Sequence, residues 1–421
     1  MIRRQIVGAF AMIFVGLAGR ALLDKILALR GGPDMVGLWA QLQSVADLVS
    51  GVALVGLGQG LTVLVAQTAA TDRRRQLVRV AVRLGLQVAL AMAAMLVLGV
   101  LMFPAGLDAR GLPSSHVLMA AAAGCCTVLP GMLIAYCLGC RHQGRAAVLS
   151  LLGIAPLLVA AFIAPMPDPR FGMMVVQGAG ALLIGVAWGL AGRGGGGSGV
   201  QEHQGEHQGE DRRALVGYLP VGLAIGILSP LSVLVVRDVL SSALSWHEAG
   251  LLQALWRTTE WVSGVAQGVI NLFFLPRLGA AAIEGKAALQ REIGRALGWV
   301  MIPAGLLLVL LYGWQREALS MLYDSRFVVS DRAVALFLVG DWLRIASWIF
   351  LGGLFATRGT LFIVLGEFLS LPLYALLFYF GAEGMSLERA GAIHIISFAV
   401  YLAFNALALA WGWRHQRGAG G

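Results

Sequence analysis

Charge is what this sequence has least of. Asp, Glu, Lys and Arg make up 13% of its 421 residues, about half the ~25% usual in a soluble domain. So few charges cannot cover a water-facing surface of ordinary extent, so the solvent must be a bilayer. Acids are scarcer still, 22 against 31 basic residues. No basic patch with interleaved aromatics accompanies that excess, which excludes a nucleic-acid partner. Cysteine is limited to Cys125, Cys126, Cys137 and Cys140. Cys137 and Cys140 have redox or metal spacing but no partner pair, and read instead as small side chains at a helix–helix contact. The period-two alternation of a membrane barrel is missing. So are the signatures of chemistry: no Gly-Lys-Ser/Thr follows the glycine run at 194–197, and neither a zinc-ligand helix nor a nucleophile elbow occurs.

What is present is apolar sequence, 58% hydrophobic with mean hydropathy +0.80. Taking ~20 residues per crossing, about twelve spans can be placed: 6–29, 36–66, 77–104, 114–139, 146–165, 172–192, 214–236, 248–275, 295–313, 332–356, 360–380 and 389–412. The expected fold class is therefore all-α, a polytopic membrane protein with two parallel six-helix lobes around a central cavity. The N-terminal MIRRQ and its apolar run read as a retained first span, because no cleavage site ends the run. Arg73, Arg74, Arg75, Arg79, Arg141, Arg145, Arg212 and Arg213 fall in alternate loops. That bias puts both termini in the cytoplasm. The glycine-rich, Glu-His-Gln-Gly stretch at 193–213 is the one long polar segment. It reads as a flexible cytoplasmic linker between a lobe at 1–192 and a lobe at 214–421.

An internal repeat supports the division. GLWAQLQSVADLVSGVA, Gly37 to Ala53, returns as GLLQALWRTTEWVSGVA, Gly250 to Ala266. Gly37, Leu38, Leu42, Val49, Ser50 and Gly51 recur as Gly250, Leu251, Leu255, Val262, Ser263 and Gly264, and Asp47 recurs as Glu260. An even number of spans between the copies makes the repeat parallel, a known way to build transporters.

Polar groups at membrane depth are the candidate functional residues. A central charge costs about 3 kcal/mol on insertion scales, so it faces a bundle interior or a wet cavity. Span one carries Arg20, Asp24 and Lys25, with Arg20 and Asp24 four apart and able to pair. Span two carries Gln41, Ser44 and Asp47 on one face, and span eight Gln253, Arg257 and Glu260. Arg237 ends span seven. Asp341 and Arg344 lie three apart in span ten, Glu367 lies in span eleven and His394 in span twelve. Asp47, Glu260 and Asp341 each sit about ten residues from the outer end of a span, near mid-membrane at 1.5 Å per residue. One cavity would collect them. The competing reading is that Arg257–Glu260, Asp341–Arg344 and Arg20–Asp24 are self-neutralising pairs that only hold helices together. No metal site or bound cofactor is expected.

The segments ALRGGPDMVGLWAQLQ, SWHEAGLLQALWRTTEWV, LPRL, FLVGDWLRIASWIF and GEFLS, in that order, resemble the Wzx-type flippases of the multidrug/oligosaccharidyl-lipid/polysaccharide exporter superfamily, in particular the O-antigen and enterobacterial common antigen translocases. The resemblance implies a lipid flippase of the bacterial inner membrane. Its substrate would be an undecaprenyl-diphosphate-linked oligosaccharide for cell-surface polysaccharide. It would be a monomer working in membrane lipid beside a polymerase and a chain-length regulator. Lys25, Arg237, Glu260, Asp341, Arg344 and Glu367 fall on charged positions of that pattern, and Asp47 rests on the internal repeat. Gln43 stands where related flippases can carry a cation, and Arg20 can compensate. The diphosphate would meet Arg20, Lys25, Arg237, Arg257 and Arg344, since the guanidinium fork suits phosphate. The acids Asp24, Asp47, Glu260, Asp341 and Glu367 would moderate that binding or couple it to a proton or sodium gradient. Other readings are an ion-coupled multidrug or small-molecule exporter, a major-facilitator transporter, and a membrane-embedded glycosyl- or acyltransferase with Asp47 or His394 as base.

Overall fold

A computed structural model describes residues 2–68, 70–102, 112–163, 169–193, 204–357 and 359–415. Every regular element among them is helical, as it must be where no water satisfies the backbone. Among the described residues 10 helices are long and apolar enough to cross a membrane. The first of these, Phe14–Gln67, takes in the second expected span and the first from residue 14 onward. The expected eighth span is helical but is not among the ten, because Gln253, Arg257 and Glu260 dilute its apolar character. The chain forms two compact units: Met1–Leu27 with Leu38–Leu234, and Ala28–Gly37 with Val235–Gly421. Their limits fall at 27/28, 37/38 and 234/235, whereas the lobes read from sequence divide within 193–213.

In the first unit, α1 (Ile2–Gly51) passes through a π-helical stretch, Val52–Gly58, into α2 (Gln59–Gln67). Val49, Ala53, Leu57, Leu61 and Val65 of this rod are fully buried. They pack on Leu77, Val78 and Ala81 of α3 (Thr71–Met102) and on Val128 and Met132 of α4 (Ser114–Gly139). The helices α5 (Gln143–Ile163) and α6 (Pro169–Arg193) complete this sequence half. Lipid tails are as apolar as leucine, so helices associate here by close packing rather than by escape from water. Glycines matter accordingly. A Cβ on Gly51 would stand 2.6 Å from the Gly226 carbonyl oxygen, and one on Gly56 would stand 3.0 Å from the Gly222 Cα. Gly222 and Gly226 are four apart on α8 (Leu219–Ala243), a spacing that aligns them on one face. Gly51 and Gly56 are five apart. The π stretch puts about one more residue in each turn, which brings these two into line with that face.

The stretch expected as a flexible linker differs from that expectation where it is described. Residues 194–203 lie outside the described residues, but Gln204–Val216 is a helix, α7. Its buried Asp211 meets Arg73 of α3 at 3.2 Å, and its Leu215 is fully buried in the core of the unit. An ion pair and one apolar anchor are enough to dock a segment whose composition alone reads as solvated.

The second unit begins at the kink in α1. Gly32 has φ 67°, open to glycine at little cost, and Pro33 lacks the N–H that would continue the ladder. The Arg326 guanidinium donates to the orphaned Ala28 carbonyl at 2.6 Å. Helix α9 (Trp246–Val269) starts at Ser245, whose hydroxyl accepts from the Glu248 N–H at 3.3 Å. Ser-x-x-Glu is the spacing of a capping box, which gives the Ser-Trp-His-Glu segment a local reason. Gly37 and Gly250, the same position in the two copies of the repeat, pack against each other: a Cβ on Gly37 would lie 2.9 Å from the Gly250 nitrogen. After α9 the chain turns π-helical at Ile270–Phe274, close to where the first copy does, and runs on as α10 (Leu275–Glu284). There follow α11 (Lys286–Gly313), α12 (Gln315–Leu322), α13 (Asp331–Ala356), α14 (Thr360–Phe368), α15 (Leu371–Phe380) and α16 (Leu387–His415). The expected eleventh span is thus two helices, broken at Leu369 and Ser370, where Pro372 begins the second. The Ser370 hydroxyl closes the break by donating to the Glu367 carbonyl at 2.7 Å.

Candidate functional site

The charges expected at membrane depth fall into two groups, described separately. In the first unit, Arg20 is exposed, Asp24 buried and Lys25 half-buried along α1, and Asp47 is exposed. Gln41 donates to the Leu234 carbonyl at 3.3 Å, and Gln43 pairs with Gln177 of α6 at 2.5 Å. Gln43, where a cation would suit an anionic substrate, is therefore a neutral clamp between helices.

The second unit holds the denser arrangement, built where α9, α13, α15 and α16 meet. Arg237, at the end of α8, is 4% exposed. It donates to Gln253 at 2.6 Å and lies over the Trp256 ring at 5.7 Å. One turn on, Arg257 and Glu260 pair at 2.5 Å, both partly exposed. Arg344 of α13 meets Asp341 at 2.9 Å and donates to Ser263 of α9 at 3.0 Å. Its guanidinium also lies over Trp348 and Phe398, at 5.3 and 5.7 Å. Asp341 is 0% exposed and shares its Oδ1 with His394 Nε2 of α16 at 3.3 Å. Glu367, just before the break after α14, accepts from the Tyr401 hydroxyl at 3.2 Å.

Two of the pairs read from spacing, Arg257–Glu260 and Asp341–Arg344, are formed. Asp341 does not line open space but sits enclosed between the Arg344 guanidinium and the His394 imidazole, while Arg257 and Glu260 keep an accessible edge. Sequence spacing alone gave no sign of Tyr374, fully buried with its ring edge-on to His394 at 5.4 Å. Nor did it mark Ser263 or Gln253 as partners of arginines on other helices. Their only sequence signal is a polar side chain recurring every three or four residues along α9. Chemically, the second unit presents guanidinium groups held by amide, hydroxyl and carboxylate oxygens and flanked by aromatic faces. Such arginines are oriented in advance and can exchange one oxyanion for another.

The fold these helices build is known. The chain superposes on an inward-facing multidrug-resistance MATE transporter of the MOP superfamily with a TM-score of 0.69, at 14% identity over 98% of each chain. It superposes equally, at 0.69, on the lipid II flippase MurJ in an inward closed conformation, at 10% identity over 96% of this chain and 87% of that one. These define the class: a polytopic membrane protein with the fold of the MOP transporters. No protein-family model matches the sequence. Two curated proteins do, the lipid III flippases of Escherichia coli (strain K12) and Shigella flexneri, each 24% identical over 391 residues, covering 85% of this chain and 86% of the relative.

Proposed function

We propose that this protein flips an undecaprenyl-diphosphate-linked oligosaccharide from the cytoplasmic to the outer leaflet of a bacterial inner membrane by alternating access. The observation that carries the reading is its likeness to two lipid III flippases along 85% of its length. The polar seam of the second unit supports it. A diphosphate entering hydrocarbon needs its hydration replaced, and Arg237, Arg257 and Arg344 are arginines held in place by neutral or acidic oxygens. Arg257 has the accessible edge and makes the first contact. Glu260, at 2.5 Å, keeps that contact reversible by competing for the guanidinium. Arg20, Lys25 and the acids Asp24 and Asp47 belong to the N-terminal lobe, 1–192, and act with the C-terminal lobe, 214–421, as the two rock. Both termini are cytoplasmic, and the protein works as a monomer beside a polysaccharide polymerase and chain-length regulator.

An ion-coupled drug exporter is the second reading, favoured by the equal fold likeness to a MATE transporter. Depletion in cells separates the two. A flippase leaves lipid-linked oligosaccharide accumulating on the cytoplasmic leaflet. An unchanged leaflet distribution, with no other flippase present, removes the flippase reading.

A further inference from the structure

The internal repeat extends into the spanning helix that follows each copy. Leu77, Arg79 and Arg83 of α3 stand in the same register as Leu289, Arg291 and Arg295 of α11. Their rotational phase matches too. Leu77, Ala81 and Leu84 are buried in the core of the first unit, and Leu289, Ile293 and Ala296 in the core of the second. The opposite face of each helix is open. On α3 it carries Arg75, Arg79 and Arg83, all exposed and each four residues from the next, so they form one stripe. The stripe continues as Leu90, Leu98 and Leu101, which are 59%, 59% and 70% exposed. On α11 the exposed Arg291 and Arg295 lead into Trp299, Ile302 and Leu306, which are 75%, 65% and 62% exposed. Apolar side chains this open on a spanning helix face lipid tails, so the arginines on the same face meet lipid as well.

Depth decides which part of the lipid they meet. At about 1.5 Å per residue, Arg83 lies about 28 Å along α3 from its end at Met102, and Arg295 about 27 Å along α11 from its end at Gly313. A hydrocarbon core is about 30 Å thick, with roughly 5–7 Å of headgroups on each side. Trp314, 74% exposed directly after α11, is of the residue type that marks a membrane interface. Arg83 and Arg295 therefore stand at the opposite boundary of the core. Arg79 and Arg291, about 6 Å further along, stand among the phosphates.

Few acids answer these charges. In the first unit Asp211 is taken by Arg73 at 3.2 Å, and Asp72 is exposed a turn before Arg75. In the second unit the buried Glu292 holds Arg295 at 2.9 Å and lies 3.8 Å from Arg277, while Glu284 is exposed. One carboxylate between two guanidiniums orients them and leaves positive charge in excess. Among the described residues Arg79, Arg83 and Arg291 form no ion pair. Arginine rather than lysine at all four positions suits a phosphate, because two N–H donors of one guanidinium can meet two of its oxygens. Arginines that only set topology need share neither a face nor a depth.

We propose that the arginine stripe of α3 and its counterpart on α11 each hold the phosphate of an anionic phospholipid from the surrounding leaflet. Two guanidiniums one helical turn apart take the headgroup, and the apolar side chains beyond them lie along an acyl chain. These sites require only the membrane-spanning fold, whatever the chain transports. Native mass spectrometry of the full chain, in detergent with phosphatidylglycerol or zwitterionic phosphatidylcholine, tests them. Two molecules of phosphatidylglycerol are expected to be retained, about tenfold or more in preference to phosphatidylcholine, and retention is expected to fall as added salt screens the exposed charges. Arg79→Gln with Arg83→Gln is expected to lose one of the two lipids while eluting like the wild type on size exclusion, since both side chains are exposed. Adding Arg291→Gln is expected to weaken the second about fivefold. Arg212→Gln with Arg213→Gln removes as much charge from exposed positions of α7 and is expected to keep both lipids. Equal retention of the two phospholipids, or equal losses from the α3 and α7 variants, overturns the proposal. Displacement of phosphatidylglycerol by an equal concentration of undecaprenyl diphosphate would assign the stripes to a transported lipid and overturn it as well.

Discussion

Replacing Arg344 with methionine removes one partner of an enclosed ion pair and leaves the other. Asp341 is 0% exposed, with Arg344 at 2.9 Å as its cationic neighbour on α13. Stranding a buried carboxylate in this way costs about 3–5 kcal/mol, roughly two to four powers of ten in the folding equilibrium. The double variant Asp341→Leu with Arg344→Met replaces the pair by apolar groups of similar volume, which is often close to neutral. Here it leaves His394 Nε2 without its 3.3 Å acceptor, so a deficit of about 1–3 kcal/mol should remain. Unfolding of purified protein in detergent measures the stabilities, and the leaflet assay measures transport. Arg344→Met is expected to be the less stable of the two variants, and neither is expected to flip lipid. Should Arg344→Met match the wild type in stability, the buried pair is not as described. Should the double variant transport normally, the pair only holds helices together.

Gly226→Val places a Cβ only 2.5 Å from the Gly51 carbonyl carbon and from the Val52 nitrogen. Backbone cannot yield as a side chain can, so folded protein should fall sharply on size exclusion, while Gly279→Ala, with nothing within 4 Å, should be silent. Arg257→Ala should abolish transport without preventing membrane insertion; full activity would assign Arg257 a structural role. Ser245→Ala should cost about 1 kcal/mol by removing the cap of α9, seen as a lower unfolding temperature with transport retained. At the loop, the Arg326 hydrogen bond holds the Asp324 carboxyl below its ordinary range. A depressed carboxylate stabilises the fold above its unfolded value and loses that contribution as pH falls through the depressed one. The clasp of Arg326 on Ala28 should therefore persist through neutral and mildly acid pH and open only below the usual carboxylate range, read by proteolysis or labelling of the 323–330 segment.

Several features were legible in the sequence because they are local. Apolar length gave the helices, and three-residue spacing gave Arg257–Glu260 and Asp341–Arg344. What was not legible depends on contacts between distant segments. His394 is 53 residues from Asp341, Tyr401 is 34 from Glu367, and Gln253 is 16 from Arg237. No periodicity announces such pairs. The π stretch at Val52–Gly58 was equally hidden, since its effect is to align glycines five apart with a glycine pair on another helix. The docked helix at Gln204–Val216 was masked by composition: one buried aspartate and one leucine outweigh a glycine-rich context.

Movement of a lipid-linked oligosaccharide between leaflets can be observed without cells. The most direct measurement reconstitutes the purified full chain in liposomes with undecaprenyl-diphosphate-linked oligosaccharide on one leaflet. It then follows the fraction of head groups reached by a membrane-impermeant glycosidase added outside. This fraction is expected to rise with time in liposomes holding the wild-type protein and to stay flat in liposomes holding Arg257→Ala. A flat trace with correctly folded wild-type protein, or equal traces for the two proteins, would contradict the flippase reading.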